Sequence, residues 1–155
     1  MKENQYAKEI FILSNKLKRL LDKKHSINGL YVGQARVLVY LFNNKENKIY
    51  QKDIENTFQI RGGTVTGLID TLVNNKYIVR VESETDKRKR KIVLTKDGEE
   101  LAVKSMETIR TVENGLQSAL TKEENEVFKK ISQKINKWID EEENKWENFL
   151  NILVT

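Results

Sequence analysis

Two short helical patterns follow one another within residues 51–75, and their spacing restricts the fold of this chain more than any other feature. The first pattern covers about 51–58, and the second covers about 63–75 with five apolar residues at helical spacing. Only four residues, 59–62, lie between them. Two helices joined by so tight a turn predict a helix-turn-helix.

Two β-rich runs come directly after the second helical pattern. They read YIVRVE at 77–82 and KIVL at 91–94, and the polar, charged segment 83–90 separates them. This pattern predicts a two-stranded hairpin with a long tip. A helix-turn-helix followed by a hairpin is the order of elements in a winged helix.

The rest of the chain is predicted to be helical, because it has no proline and only seven glycines to interrupt helices. Apolar residues recur at helical spacing over 5–23 and 33–43, and the loop between these helices contains the only histidine, His25. Another helix is expected from an N-cap at Thr95 to about Asn114, with Gly115 as a candidate break.

A last helix of roughly 30 residues would span ~45 Å, which is longer than a small domain is wide. Thr121 and Glu124 have the spacing of a capping box at its start. Its apolar far end would stay in water on a monomer, which favours a homodimer built from both termini over a helix that folds back or frays. The candidate dimerisation residues are Ile10, Leu13, Leu17, Trp138, Trp146, Phe149, Leu150 and Leu153.

Charge is distributed unevenly along a chain whose formal net charge is +5. Residues 87–91 are five consecutive lysines and arginines, whereas 140–143 are all acidic. A basic run of this kind is most often a solvated loop. Directly after a helix-turn-helix, it favours a wing that contacts the backbone or minor groove of DNA.

Several function classes lack the residues that they need. The chain has no cysteine, no His/Cys cluster for zinc and no phosphate-binding glycine motif, so no catalytic residue, metal or cofactor is expected. No apolar run approaches the ~20 residues of a membrane helix, and the N-terminus has no signal-peptide core. We therefore expect a cytoplasmic protein that is not an enzyme and has no membrane partner.

The wing region carries a specific motif, because Asp86, Arg88, Leu94, Thr95 and Gly98 fit the pattern DxRxxxxxLTxxG. This pattern is the wing signature of the MarR (multiple antibiotic resistance regulator) family. The stretch TVTGLIDTL at 64–72 resembles that family's recognition helix, and QKDI at 51–54 resembles the start of its preceding helix.

The resemblance extends over the whole chain and implies a mostly α fold. This fold is a winged helix-turn-helix with a two-stranded β-hairpin wing and long N- and C-terminal dimerisation helices. It implies one MarR-like chain over 1–155, with a winged-helix DNA-binding part at 33–98 and helical dimerisation parts at 1–32 and 99–155.

The function implied by the resemblance is that of a sequence-specific transcriptional regulator of double-stranded DNA. It would be a ligand-responsive repressor that acts as a homodimer on a near-palindromic operator. A wing arginine of that family reaches the minor groove and a nearby aspartate steadies it; the matching residues are Arg88 and Asp86, with Arg90 as a further candidate. The other interpretation of Asp86 is a turn residue.

Ligands of that family lodge between the dimerisation helices and the DNA-binding part. A small aromatic or phenolic ligand is therefore a candidate partner. His25, Tyr31, Arg36 and Tyr40 lie near that junction in the sequence, although packing is the more ordinary role for such residues, and a lone histidine in a polar loop is usually on the surface.

The predicted recognition helix departs from the family, because it has glycines where relatives carry arginine or hydroxyl side chains. No Arg or Lys occurs between Arg61 and Lys76, so the bidentate arginine–guanine contact is absent from the body of the helix. We expect threonine methyls to meet thymine methyls, modest sequence discrimination, and affinity that depends steeply on salt. The glycines would let DNA approach closely, or would supply unusual backbone angles at a helix start.

The candidate DNA contacts are Arg61, Gly62, Gly63, Thr64, Thr66, Lys52, Gln51, Asp86, Lys87, Arg88, Lys89 and Arg90. A second function class is a protein-interaction module of the same fold that has lost specific DNA binding. The arginine-free helix favours this class, and the basic wing opposes it.

Overall fold

The computed structural model describes residues 5–154 and, within them, six α-helices and one two-stranded sheet. The elements are α1 (Tyr6–His25), a 3-10 turn (Ser26–Asn28), α2 (Val32–Asn43), α3 (Gln51–Phe58), α4 (Gly62–Asn74), β1 (Ile78–Glu82), β2 (Arg90–Leu94), α5 (Lys96–Ser118) and α6 (Lys122–Val154). The predicted mostly α fold with a two-stranded hairpin is confirmed. The described chain forms two compact units that divide inside α5, between Val112 and Glu113.

The core of the first unit is formed by α2, α3, α4 and the inner face of the hairpin. Ile54 of α3 and Val65, Ile69 and Leu72 of α4 are fully buried, as their helical spacing predicts. Leu68 is half-buried and packs on Gly33 of α2, where an added Cβ would lie 3.1 Å from its side chain. This packing fixes which side of α4 faces away from the protein.

The turn between α3 and α4 uses a left-handed residue that is not glycine. Gln59 has φ +52°, and its side-chain amide donates to the Asn56 carbonyl at 2.7 Å. Ile60 N–H donates to the Glu55 carbonyl at 3.3 Å. These bonds end α3 and redirect the chain into α4 within three residues, as the predicted helix-turn-helix requires.

The hairpin is antiparallel and pairs Ile78 with Leu94 at one end and Glu82 with Arg90 at the other. It is joined to the helical core by a hydrogen bond from Ile92 N–H to the Ile49 carbonyl at 2.8 Å. Ile78 and Ile92 are buried, so the side of the hairpin that carries them is attached to the core.

The start of α5 is docked on the backbone that enters β1. Thr95 N–H donates to the Tyr77 carbonyl at 3.0 Å, and the Thr95 hydroxyl donates to the Lys76 carbonyl at 2.8 Å. The same hydroxyl accepts the Gly98 N–H at 3.1 Å, which confirms Thr95 as the N-cap. A Cβ on Gly98 would lie 1.9 Å from the Tyr77 carbonyl oxygen, so only glycine fits there.

The second unit consists of the end of α5, a turn and α6. The capping box is confirmed, because Thr121 N–H donates to Glu124 Oε2 at 2.7 Å and Glu124 N–H donates to the Thr121 hydroxyl at 3.2 Å. The Asn125 amide donates to the carbonyls of Gln117 and Thr121, both at 3.0 Å, and thereby closes the turn.

Gly115 does not break a helix, so that prediction is wrong. Helix α5 continues to Ser118, since a single glycine costs a helix only about 1 kcal/mol. The expected loop at His25 is also wrong, because His25 is the last residue of α1 and is buried. Among residues 5–154, no helix is long and apolar enough to cross a membrane.

The two glycines of α5 provide a matched pair for a stability test. We expect Gly98→Ala to lower the free energy of unfolding by ~1–3 kcal/mol, because the new methyl overlaps the Tyr77 carbonyl. Gly115→Ala should raise it by about 0.5–1 kcal/mol, since nothing lies within 4 Å of the added Cβ. Urea denaturation at one protein concentration measures both. Equal effects of the two substitutions would contradict this account of the motif.

Candidate nucleic-acid interface

The exposed side of α4 is formed by small residues. Gly63, Thr64, Thr66, Gly67 and Thr71 are all exposed, and the helix contains no arginine or lysine. Arg61 is the N-cap residue of α4 and is exposed as well. After Arg61, the exposed side of this helix therefore carries only short side chains and no basic group.

The glycines of α4 have no backbone reason to be glycine. Among the glycines that the structure describes, only Gly29 has a positive φ. The interpretation that Gly62 and Gly63 supply unusual backbone angles is therefore wrong. A Cβ on Gly62 would meet Glu55 Oε1 at 2.9 Å, whereas Gly63 and Gly67 have nothing within 4 Å. The last two keep open space in front of α4.

Gln51 joins α3 to the first turn of α4. Its Nε2 donates to the Thr66 hydroxyl at 2.9 Å, to Glu55 Oε1 at 3.2 Å and to the Gly62 carbonyl at 3.4 Å. The amide nitrogen that we predicted as a phosphate contact is therefore used within the protein.

Lys52 forms an ion pair with Glu55 at 2.9 Å. Hydrogen bonds from Lys52 and then from Gln51 hold the pKa of the Glu55 carboxyl below its ordinary value. The Lys52 side chain is 76% exposed in this pair, so its ammonium remains open to an outside anion.

An ion pair connects α4 with the hairpin. Arg80 of β1 donates through Nη2 to Asp70 Oδ1 of α4. Asp70 is the acidic residue of α4, and Arg80 neutralises it. Arg80 is absent from the predicted DNA contacts; its sequence signal is the alternation in β1, where Ile78 is buried and Arg80 follows two residues later on the same face.

The hairpin tip is organised around Asp86. Its carbonyl accepts Lys89 N–H at 2.9 Å, and its carboxylate accepts the Arg88 backbone N–H at 3.0 Å and Arg88 Nε at 3.4 Å. Asp86 is thus both a turn residue and the partner of Arg88. The Arg88 side chain is 93% exposed, so the carboxylate orients a cation that projects from the protein.

A groove of about 470 Å³ lies between the start of α3 and the wing. Its wall carries five cationic residues: Lys52, Arg80, Arg88, Lys89 and Arg90. The acidic residue of that wall is Asp53, and its carboxylate accepts a hydrogen bond from the Tyr50 N–H at 2.8 Å. The arrangement can bind a polyanion, because several cations face one channel.

Tyr50 and Ser83 support this groove and were absent from the predicted site. The Tyr50 hydroxyl lies 3.1 Å from the hydroxyl of buried Ser83, and Lys89 Nζ lies 6.0 Å from the centre of the Tyr50 ring. Both residues fix the wing against α3. A serine in a charged loop carries no sequence signal for burial, which is why it was missed.

The predicted dimerisation residues are largely exposed within their own units. On α1, Ile10 and Leu13 are exposed and Leu17 is half-buried. On α6, the exposed residues are Trp138, Trp146, Phe149, Leu150 and Leu153. The Trp146 and Phe149 rings lie 5.6 Å apart, and none of the described side chains of α6 is buried.

The predicted ligand-pocket residues occupy different surroundings. Arg36 lies over the Phe58 ring at 4.5 Å, and Tyr40 meets the same ring edge-on at 5.6 Å. Tyr31 is the N-cap residue of α2 and is 68% exposed. Arg36 and Tyr40 thus share one aromatic partner, and the role of this group in ligand binding stays a prediction.

His25 is fully buried, with no partner for either ring nitrogen in the part of the chain that the structure describes. Burial lowers its pKa from 6.5, although Asp22 on the preceding turn acts in the opposite direction. Burial raises the pKa of Asp22, but hydrogen bonds from the Val32 amide and the Lys18 ammonium outweigh burial and leave that pKa below 3.8.

We expect the free energy of unfolding to fall as the pH drops below about 6.5, because burial lowers the pKa of His25 in the folded chain and the unfolded chain therefore takes up this proton at a higher pH. His25→Gln should lose this dependence between pH 7 and pH 5, where Asp22 does not titrate. Urea denaturation at fixed protein concentration measures it, and His25 is the only histidine of the chain. The same pH dependence in both proteins would refute the assignment.

A family described as transcriptional regulator SarA/Rot matches residues 16–104, more than half of the chain. Among curated proteins, the transcriptional repressor YetL of Bacillus subtilis is 28% identical over 89 residues, which are 57% of this chain and 53% of YetL. The chain thus spans about half the length of that relative.

Solved structures match over most of the chain. The DNA complex of MepR from S. aureus has a TM-score of 0.84 and 28% identity, and covers 88% of this chain and 99% of MepR. The transcription regulator MarR from Oenococcus oeni has a TM-score of 0.72 and 26% identity, with 84% and 98% covered. Because the family and both neighbours are regulators, the prediction that the chain is not an enzyme is confirmed. The chain belongs to the SarA/Rot family of transcriptional regulators, and its fold is the winged helix of MarR-type proteins.

Proposed function

We propose that this regulator binds double-stranded DNA through α4 and the wing and acts as a repressor. The observation that carries the proposal is the groove between α3 and the wing, where five cationic side chains line one channel. Cations grouped in this way release counterions from a phosphate backbone, which supplies most of the affinity of a DNA-binding protein.

The roles of the individual residues follow from their contacts. Arg88, oriented by Asp86, enters the minor groove, and Arg90 and Lys89 contact phosphates beside it. Arg61 and Thr64 lie at the start of α4, where helix N–H groups favour phosphate. MepR has been solved with DNA, and YetL is a repressor; both similarities support this assignment.

The active form is a homodimer on a near-palindromic operator. The apolar side chains of α1 and of α6 are exposed to an extent that a soluble monomer rarely tolerates. A second copy of the chain is the simplest cover, since two-fold symmetric dimers are the commonest oligomers. Two α4 helices related by such an axis would read half-sites ~34 Å apart.

Ligand control is the remaining part of the proposal. A small aromatic or phenolic molecule would bind near Arg36 and Tyr40, which already share the Phe58 ring. A regulator of transcription must reach the chromosome, which supports the proposed cytoplasmic location. A PefR structure with heme and carbon monoxide is 23% identical and supports the fold alone.

The second candidate function is a protein-interaction module without specific DNA binding, which the arginine-free face of α4 favours. Selection of duplexes from a random pool separates the two. We expect enrichment of near-palindromic sites; a pool that stays random, together with a monomeric protein in sedimentation, would remove both DNA binding and dimerisation.

On the enriched duplex, Arg88→Ala should weaken binding roughly tenfold and reduce the salt slope by about 1 per protomer. Lys137→Ala is the charge-matched control, because Lys137 lies on α6 with its side chain 79% exposed. Fluorescence anisotropy at several salt concentrations measures both variants. Equal slopes for Arg88→Ala and Lys137→Ala would rule out a wing contact.

The Asp70–Arg80 pair gives a separate test of the interface. Arg80→Gln leaves the Asp70 carboxylate unpaired beside the phosphates and should weaken binding about tenfold, whereas stability changes by less than ~1 kcal/mol. Adding Asp70→Asn should restore part of the affinity, because the repulsive charge is gone although the groove still lacks the Arg80 cation. If Asp70→Asn alone weakens binding as much as Arg80→Gln, the pair does not act by neutralisation.

A further inference from the structure

The hydroxyl groups of two exposed threonines of α4 are already used inside the protein. Thr66 Oγ1 donates to the Gly62 carbonyl at 2.9 Å and accepts from Gln51 Nε2 at 2.9 Å. Thr71 Oγ1 donates to the Gly67 carbonyl at 2.9 Å. A hydroxyl has one hydrogen to donate, so neither threonine can donate to a base without breaking an existing bond.

Toward thymine, the methyl group is what remains of each side chain, because the major-groove edge of thymine offers only the O4 acceptor and the C5-methyl, and neither threonine has a free hydrogen to donate. A new hydrogen bond to a base would gain little free energy, because the threonine would first have to break its internal one. A methyl contact leaves the internal hydrogen bonds of Thr66 and Thr71 intact. Thr66 holds this state more firmly than Thr71, because Gln51 also occupies a lone pair of its oxygen.

Two glycines keep the helix surface beside these threonines open. Gly63 and Gly67 have nothing within 4 Å of an added Cβ, so no longer side chain keeps bases away from Thr66 and Thr71. The acidic neighbour Asp70 is held by Arg80. In the major groove, the C5-methyl of thymine is the apolar group that a base edge offers.

Thr64 differs from the other two threonines. Its hydroxyl has no hydrogen-bond partner within residues 5–154, and it lies in the first turn of α4. Thr64 keeps its hydroxyl for a base or a phosphate. The same residue type thus occurs in two chemical states on one helix, which supplies an internal control.

We propose that Thr66 and Thr71 recognise thymine through methyl–methyl contacts, so that the C5-methyl of thymine, and not a hydrogen bond, specifies the bases in front of α4. This inference rests on the proposed DNA binding and names the chemistry by which that site selects its sequence.

The test replaces single thymines of the enriched duplex by deoxyuridine, which lacks only the C5-methyl. We expect about fourfold weaker binding per half-site at one or two positions, the size of one buried methyl group. At the position in front of Thr66, Thr66→Ser should bind both duplexes equally, because the protein methyl is gone. Thr66→Val should keep the fourfold difference, because it retains a methyl without the hydroxyl.

Thr64→Ser is the matched control and should leave the difference between thymine and deoxyuridine unchanged. Tight binding with no deoxyuridine-sensitive position, or loss of the difference in Thr66→Val with retention in Thr66→Ser, overturns the methyl contact while the proposed function stands. Failure to enrich any duplex overturns the proposed function itself. Circular dichroism melting of each variant confirms that the compared proteins are folded.

Discussion

The arrangement of the winged helix depends on one close approach, between Gly98 at the start of α5 and the carbonyl of Tyr77 before β1. A Cβ at residue 98 would come within 1.9 Å of that oxygen, and the Thr95 hydroxyl bonds to the neighbouring Lys76 carbonyl. Because β1 follows α4 by only a short turn, this contact holds the hairpin in place relative to α4. The part of the wing signature from Leu94 to Gly98 therefore fixes the start of α5 on the hairpin. The other part consists of Asp86 and Arg88, in which the aspartate orients the exposed arginine.

The cationic side chains and the short, uncharged side chains of the candidate interface lie on different elements. The five cations of the groove belong to α3, the hairpin strands and the hairpin tip, whereas α4 has an uncharged outer face and one neutralised acid. Coulombic attraction to phosphates is independent of sequence, so in the proposed complex the groove supplies affinity. In our proposal, discrimination between bases falls to short side chains on α4, of which Thr66 already donates its hydroxyl hydrogen inside the protein.

Local sequence patterns predicted the bounds of an element correctly where those bounds depend on the residues of that element alone. The bounds of α3 agree with the predicted 51–58, the strands begin within one residue of the predicted positions, and the capping box at Thr121 starts α6. The two wrong predictions, at Gly115 and at His25, were both made from neighbouring residues alone. Gly115 was read from propensity, which a long helix overrides at a cost of about 1 kcal/mol. The polar neighbours of His25 predict a surface position, yet His25 is the last residue of α1 and is fully buried.

The sequence by itself determined the order of elements, the basic wing and the lack of arginine on α4, because these follow from periodicity, charge and residue identity along the chain. Only the tertiary structure decided which polar groups remain available. Gln51 and Thr66 are 15 residues apart, and Asp70 and Arg80 are 10 apart, so no local pattern connects them. Packing of α3 and β1 on α4 brings their side chains within hydrogen-bond distance. A polar atom that is satisfied inside the protein is lost to the partner outside, and that competition is settled only when the chain is folded.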